Sequence, residues 1–111
     1  MRDSIGEYRL LEELGEGAAG KVYLGTPTKT KAFAKPGEPV AIKVYNEKIL
    51  KEPNELKRIE REFRVGSTLG HPNIVRMHDF QISPEPFLVM EYFDGMTLYQ
   101  LGNLFQSQSH S

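Results

Sequence analysis

The chain has 111 residues, of which 26% are charged and 39% hydrophobic, with a net charge of −1. That composition fits one soluble globular domain burying roughly 60–70% of its unfolded surface, and it offers nothing to attract nucleic acid or an anionic membrane. There is no cysteine, so disulfides, thiolate metal sites and cysteine nucleophiles are excluded; no apolar run suggests a membrane span or leader, and a cytoplasmic location is expected.

The first elements in chain order are two short strands, residues 7–14 and 21–25, flanking Gly15-Glu-Gly-Ala-Ala-Gly-Lys-Val22. Three glycines in that stretch leave a backbone without Cβ atoms, able to lie against a flat or anionic ligand and to offer N–H groups to phosphate oxygens. A plain glycine-rich hairpin turn fits the same residues. Two phosphate-binding alternatives fit less well. A dinucleotide fingerprint needs its glycines to open a helix, and the residues that follow are β-branched and aromatic. A P-loop needs Ser or Thr after the lysine, where this chain has Val22. Strand, glycine loop and strand with Val22 two residues past Gly20 is the order of a hairpin folded over a nucleotide. Residues 26–39, rich in lysine and proline and without periodicity, read as a solvated loop.

Val40 to Tyr45 reads as a third strand, with Ala41 and Lys43 on one face and Val40, Ile42 and Val44 on the other. Val40-Ala-Ile-Lys43 matches the V-A-I-K motif letter for letter. With the glycine loop ahead of it, the chain resembles the N-terminal, ATP-binding lobe of a protein kinase, most like bacterial serine/threonine kinases of the eukaryotic type. The resemblance implies an α+β fold: a five-stranded antiparallel sheet, one main helix, a hinge and the start of a further helix. Leu14, Gly15, Gly17, Gly20, Val22 and Ala41 would then line the ATP site, and Lys43 would bridge the α and β phosphates and a helix glutamate.

A helical pattern follows Pro53 and Asn54 and runs from Glu55 to about Leu69, with Leu56, Ile59, Phe63 and Gly66 on one face. By the resemblance Glu62 is the partner of Lys43; as a surface residue it would instead pair with Arg58, worth only about 0.3–0.5 kcal/mol. Gly66 stands where the family has a bulky apolar residue, and a glycine inside a helix costs about 1 kcal/mol relative to alanine. Strands over 74–82 and 87–92 follow, joined by a hairpin connection at 83–86. The resemblance makes Met90 the gatekeeper, Glu91 and Phe93 the hinge backbone pair, and Leu98 the support beneath the adenine. Residues 1–95 would form the lobe with its hinge, 96–105 the start of a helix capped by Thr97, and 106–111 a polar tail.

The aspartates stand at positions 3, 79 and 94, so no catalytic-loop or magnesium-binding aspartate follows the hinge. His78-Asp-Phe-Gln81 is a strand segment rather than a displaced H-R-D or D-F-G motif. The expected function is therefore nucleotide binding within a larger kinase that moves the γ-phosphoryl group of Mg-ATP to a protein hydroxyl. Magnesium would be held only with the missing lobe, and that lobe or another protein would cover the lower apolar face. The alternative is a stand-alone, non-catalytic lobe that binds nucleotide or a partner.

Overall fold

The computed structural model describes residues 2–17, 20–47, 51–69, 77–83 and 85–92, with side chains of 62–69 excepted. Among them are six strands and one long helix: β1 (Ser4–Ile5), β2 (Tyr8–Gly17), β3 (Gly20–Pro27), β4 (Val40–Tyr45), α1 (Pro53–Leu69), β5 (Met77–Gln81) and β6 (Phe87–Glu91). All six strands form one antiparallel sheet in the order β1-β2-β3-β4-β6-β5. The five expected strands are present, and the two-residue β1 adds an edge beside β2.

The glycine stretch is more ordered than an open loop. Gly15 pairs with Val22 and Gly17 with Gly20, so the ladder runs to the tip of the hairpin. The remaining tip residues, 18 and 19, lie outside the described set.

Strand β4 is buried from end to end, which explains its unbroken apolar sequence around a single lysine. Strict alternation divides its side chains as expected. Val40, Ile42 and Val44 join Tyr8, Leu10, Tyr23, Phe87 and Val89 in a cluster on the first face. Ala41 and Tyr45 join Val22, Ile59 of α1, Leu88 and Met90 on the second.

The segment 28–39 is not the solvated loop its composition suggests. It folds back over the first face as a strap, burying Ala34 and packing Phe33 against that cluster. The Phe33 ring stacks on His78 with centroids 4.5 Å apart and planes 8° from parallel. Lys29 and Lys31 both reach Glu7 in the turn between β1 and β2. A few side chains hold the strap, so the segment carries no periodic signal.

Strand β5 carries a β-bulge at this point. Met77 pairs with Met90 and Asp79 with Val89, leaving His78 as the extra residue. Alternation alone would put Asp79 on the face of Met77. The bulge turns Asp79 to the first face, where it accepts a hydrogen bond of 3.1 Å from the Tyr8 hydroxyl. Strands β2 and β5 are far apart in sheet order, so this bond shows the sheet curled upon its first face. Arg2 makes a further link, pairing with Glu85 in the β5–β6 connection.

Helix α1 begins with Pro at its first residue, where the missing N–H costs nothing, and Glu55 in the first turn suits the helix dipole. The backbone N–H groups of Glu55 and Leu56 donate to the Glu52 carbonyl. Ile59 is fully buried and anchors the helix to the second face.

Candidate functional site

Cross-strand register assembles the second face row by row, because directly paired residues of an antiparallel sheet share a face. One row runs Leu24, Ala41, Met90, Met77. The next runs Gly15, Val22, Lys43, Leu88, Phe80. The third, at the open end of the hairpin, runs Gly17, Gly20, Tyr45. Along one face of the sheet the order is thus a row of apolar side chains, then a row with a cation, then a strip of glycine backbone.

Val22, Ala41, Lys43 and Met90 all have no measurable exposure. Lys43 is the one charged side chain among the described residues that is fully buried. An ammonium taken out of water needs compensation from charge, hydrogen bonds or a ring face. Its Nζ stands 4.9 Å from the centroid of the Tyr45 ring.

Leu14, expected at the site, reaches it through another bulge. Glu13 pairs with Tyr23 and Gly15 with Val22, so Leu14 is unpaired in the ladder and packs against the Val22, Ala41 and Met90 cluster. Gly20 is required by β4 itself. A Cβ there would lie 2.0 Å from the Val44 carbonyl oxygen and 2.9 Å from the Tyr45 Cα. Glycine therefore brings the tip of β3 down onto the end of β4.

Lys21 lies on the opposite side. It pairs in register with Val44 of the first face, and its Nζ is 3.4 Å from Glu13. The field of Glu13 raises its pKa above the usual lysine value. A P-loop lysine would have to turn toward the glycine backbone and its phosphates, so this geometry speaks against the P-loop alternative.

Of the remaining expected residues, Glu91 ends β6 and is exposed. Glu62 lies within α1, but its side chain is outside the described set, as are Phe93, Thr97 and Leu98. The surroundings of Gly66 lie there too. Arg58, the alternative partner of Glu62, bonds Glu55 one turn toward the helix N-terminus. Sequence reasoning missed Tyr45 and Leu88. Their alternation with Lys43 and Met90 was a signal available for both.

The protein kinase domain model matches residues 8–110. The chain belongs to the protein kinase family. Among its relatives are serine/threonine-protein kinase PkaA of Streptomyces coelicolor, 38% identical over 106 residues, and serine/threonine-protein kinase Pkn1 of Myxococcus xanthus, 36% identical over 94. These alignments cover 90% and 84% of this chain but only 20% and 13% of the relatives. The crystallised kinase domain of PknI from Mycobacterium tuberculosis superposes with a TM-score of 0.70 at 25% identity, over 91% of this chain and 40% of that domain. The chain is thus similar to the sheet-and-helix lobe of a protein kinase and spans less than half of a kinase domain.

Proposed function

We propose that this chain is the ATP-binding lobe of a serine/threonine protein kinase. The observation that carries the reading is the order of rows on the second face. Leu24, Ala41, Met90 and Met77 give a flat apolar floor for a purine, with no side chain at Ala41 large enough to fill it. One row along, Lys43 is buried and would meet the phosphate oxygens. Beyond it the Gly17–Gly20 pair lets backbone approach the phosphates.

ATP fits this donor set: an apolar slot, a fixed cation and a backbone free of Cβ atoms. Bound there, it would supply the γ-phosphoryl group. Lys43 would orient the α and β phosphates, Val22 and Ala41 would cover one side of the base, and the end of β6 at Glu91 would meet its polar edge through backbone groups. Glu62 would hold Lys43 from α1. The protein substrate, and the aspartate and asparagine that handle magnesium and the acceptor hydroxyl, belong to a second lobe. By itself the 111-residue chain then binds nucleotide without transferring phosphate.

The test is a thermal melt of the chain with and without Mg-ATP, beside Lys43→Met. At a hundred times its Kd a ligand stabilises by about 2.7 kcal/mol, which shifts Tm by about 10 °C in a domain of this size. The wild-type midpoint should rise with Mg-ATP and that of Lys43→Met should rise far less. A wild-type midpoint indifferent to millimolar Mg-ATP overturns the proposal.

A further inference from the structure

We propose that Tyr45 is a positioning residue for Lys43: its ring face holds the buried ammonium over the phosphate end of the pocket. The inference rests on the nucleotide reading above and names the group that makes Lys43 competent in it.

Positions 43 and 45 are two apart on one strand, so their side chains rise from the same face. Both are buried, and the Lys43 Nζ lies 4.9 Å from the Tyr45 ring centroid, well within the range of a cation–π contact. A ring face attracts a cation through its quadrupole without occupying any N–H. The ring contact steadies the ammonium without itself taking up an N–H donor.

Tyr45 is itself held on three sides. Its backbone N–H donates to the Pro86 carbonyl at 3.0 Å, continuing the β4–β6 ladder past its last pair. It stands opposite Gly20, the glycine that β4 requires at the hairpin tip. It also belongs to the cluster containing Ile59 of α1. Movement of the hairpin tip or of the helix would therefore be felt at the lysine through this ring.

The experiment replaces Tyr45 in the 111-residue chain with Phe and, separately, with pentafluorophenylalanine, which keeps the shape and reverses the quadrupole. ATP affinity is read by calorimetry. A desolvated cation–π contact predicts a loss on the order of tenfold for the fluorinated ring and less than about twofold for Phe, at similar melting temperatures. In a Lys43→Met background the two rings should bind ATP equally. Equal affinity of the fluorinated and Phe variants with Lys43 present overturns the proposal.

A second readout needs no nucleotide. The Lys43 ε-methylene protons, assigned by their loss in Lys43→Met, should lie upfield of those of exposed lysines through the ring current, and should return to the common position in Tyr45→Leu. A wild-type chain that binds no ATP defeats the nucleotide reading and with it the phosphate role. Unshifted methylene protons defeat the ring contact itself.

Discussion

At the scale of single residues, Gly20 shows how a motif can be legible while its reason is not. Three glycines at the spacing of a phosphate loop were readable, and all three fall in the β2–β3 hairpin, in register with residues of the second face. For Gly20 the structural requirement lies within the lobe: a methyl group would stand 2.0 Å from the Val44 carbonyl oxygen, a backbone atom that cannot swing aside. Gly20→Ala should therefore part the tips of β3 and β4 and cost about 1–3 kcal/mol, the usual range for overpacking. Gly37 is the control. At φ +96° with nothing within 4 Å of its would-be Cβ, Gly37→Ala meets conformational strain alone, about 1–2 kcal/mol. Urea midpoints measure both, but only Gly20→Ala should also weaken ATP, since it displaces the glycine row and Tyr45 together. Equal nucleotide affinity in the two variants would contradict that coupling. Lys43, Ala41 and Val22 were legible because alternation and the V-A-I-K spacing place them directly. Leu14 reaches the site by a bulge, and a bulge leaves no mark in an alternating pattern until the partner strand is known.

At the scale of elements, the strap and the bulged strand β5 hold each other. Phe33 is only partly buried but stacks flat on His78, and the bulge sets Asp79 on the strap face beside His78. Phe33→Ala should lower stability by about 1–2 kcal/mol, below the 3–5 kcal/mol of a fully buried phenylalanine, read as a fall in the urea midpoint. Residues 28–39 looked solvated because the strap is anchored by isolated contacts, Phe33 and Ala34 on the cluster and two lysines on Glu7. No period-based reading can see such anchors. The lysines also give the strap a pH signature. Hydrogen bonds from Lys31 and then Lys29 hold the Glu7 carboxyl at about 2, against 4.5 for an ordinary glutamate. A depressed pKa stabilises the fold above the unfolded value. That contribution should fade as pH falls from about 4.5 toward 2. Glu7→Gln should flatten the acid limb of the stability curve in that window. Because the pair is exposed, added salt should flatten it as well. An acid limb identical in wild type and Glu7→Gln would show that the ion pairs contribute nothing to holding the strap.

At the scale of the whole molecule, the question is what keeps the sheet curled when, among the described residues, its edge strands β1 and β5 do not pair with each other. Among the described residues two polar links cross the curl, Tyr8 to Asp79 and Arg2 to Glu85. The second is partly exposed and worth no more than about 1 kcal/mol. The first lies deeper: Tyr8 is almost fully buried, its ring meets Phe87 edge-on at 5.8 Å, and Lys31 stands 5.7 Å above it. Burial, with the Asp79 charge behind it, pushes the Tyr8 phenol above its ordinary pKa of 10. Tyr8→Phe keeps the ring and removes only the hydroxyl. Asp79 would still accept from the Gln81 amide at 3.1 Å, so no carboxylate is stranded and the cost should be about 1–2 kcal/mol. A Tm lower by about 4–8 °C would register it. The same variant has a second signature. A raised pKa means the contribution is complete below pH 10 and is lost as pH climbs through the folded value, so wild type should weaken in alkali more steeply than Tyr8→Phe. If the variant matches wild type at neutral pH and in alkali, the curl is held by apolar packing alone. The edge-on contact of Phe87 with the Tyr8 ring, centroids 5.8 Å apart, would then be the contact to break next, with Phe87→Leu. A lower midpoint without the alkaline difference would assign the loss to the hydrogen bond and show that neither burial nor the Asp79 charge holds back ionisation of the folded phenol.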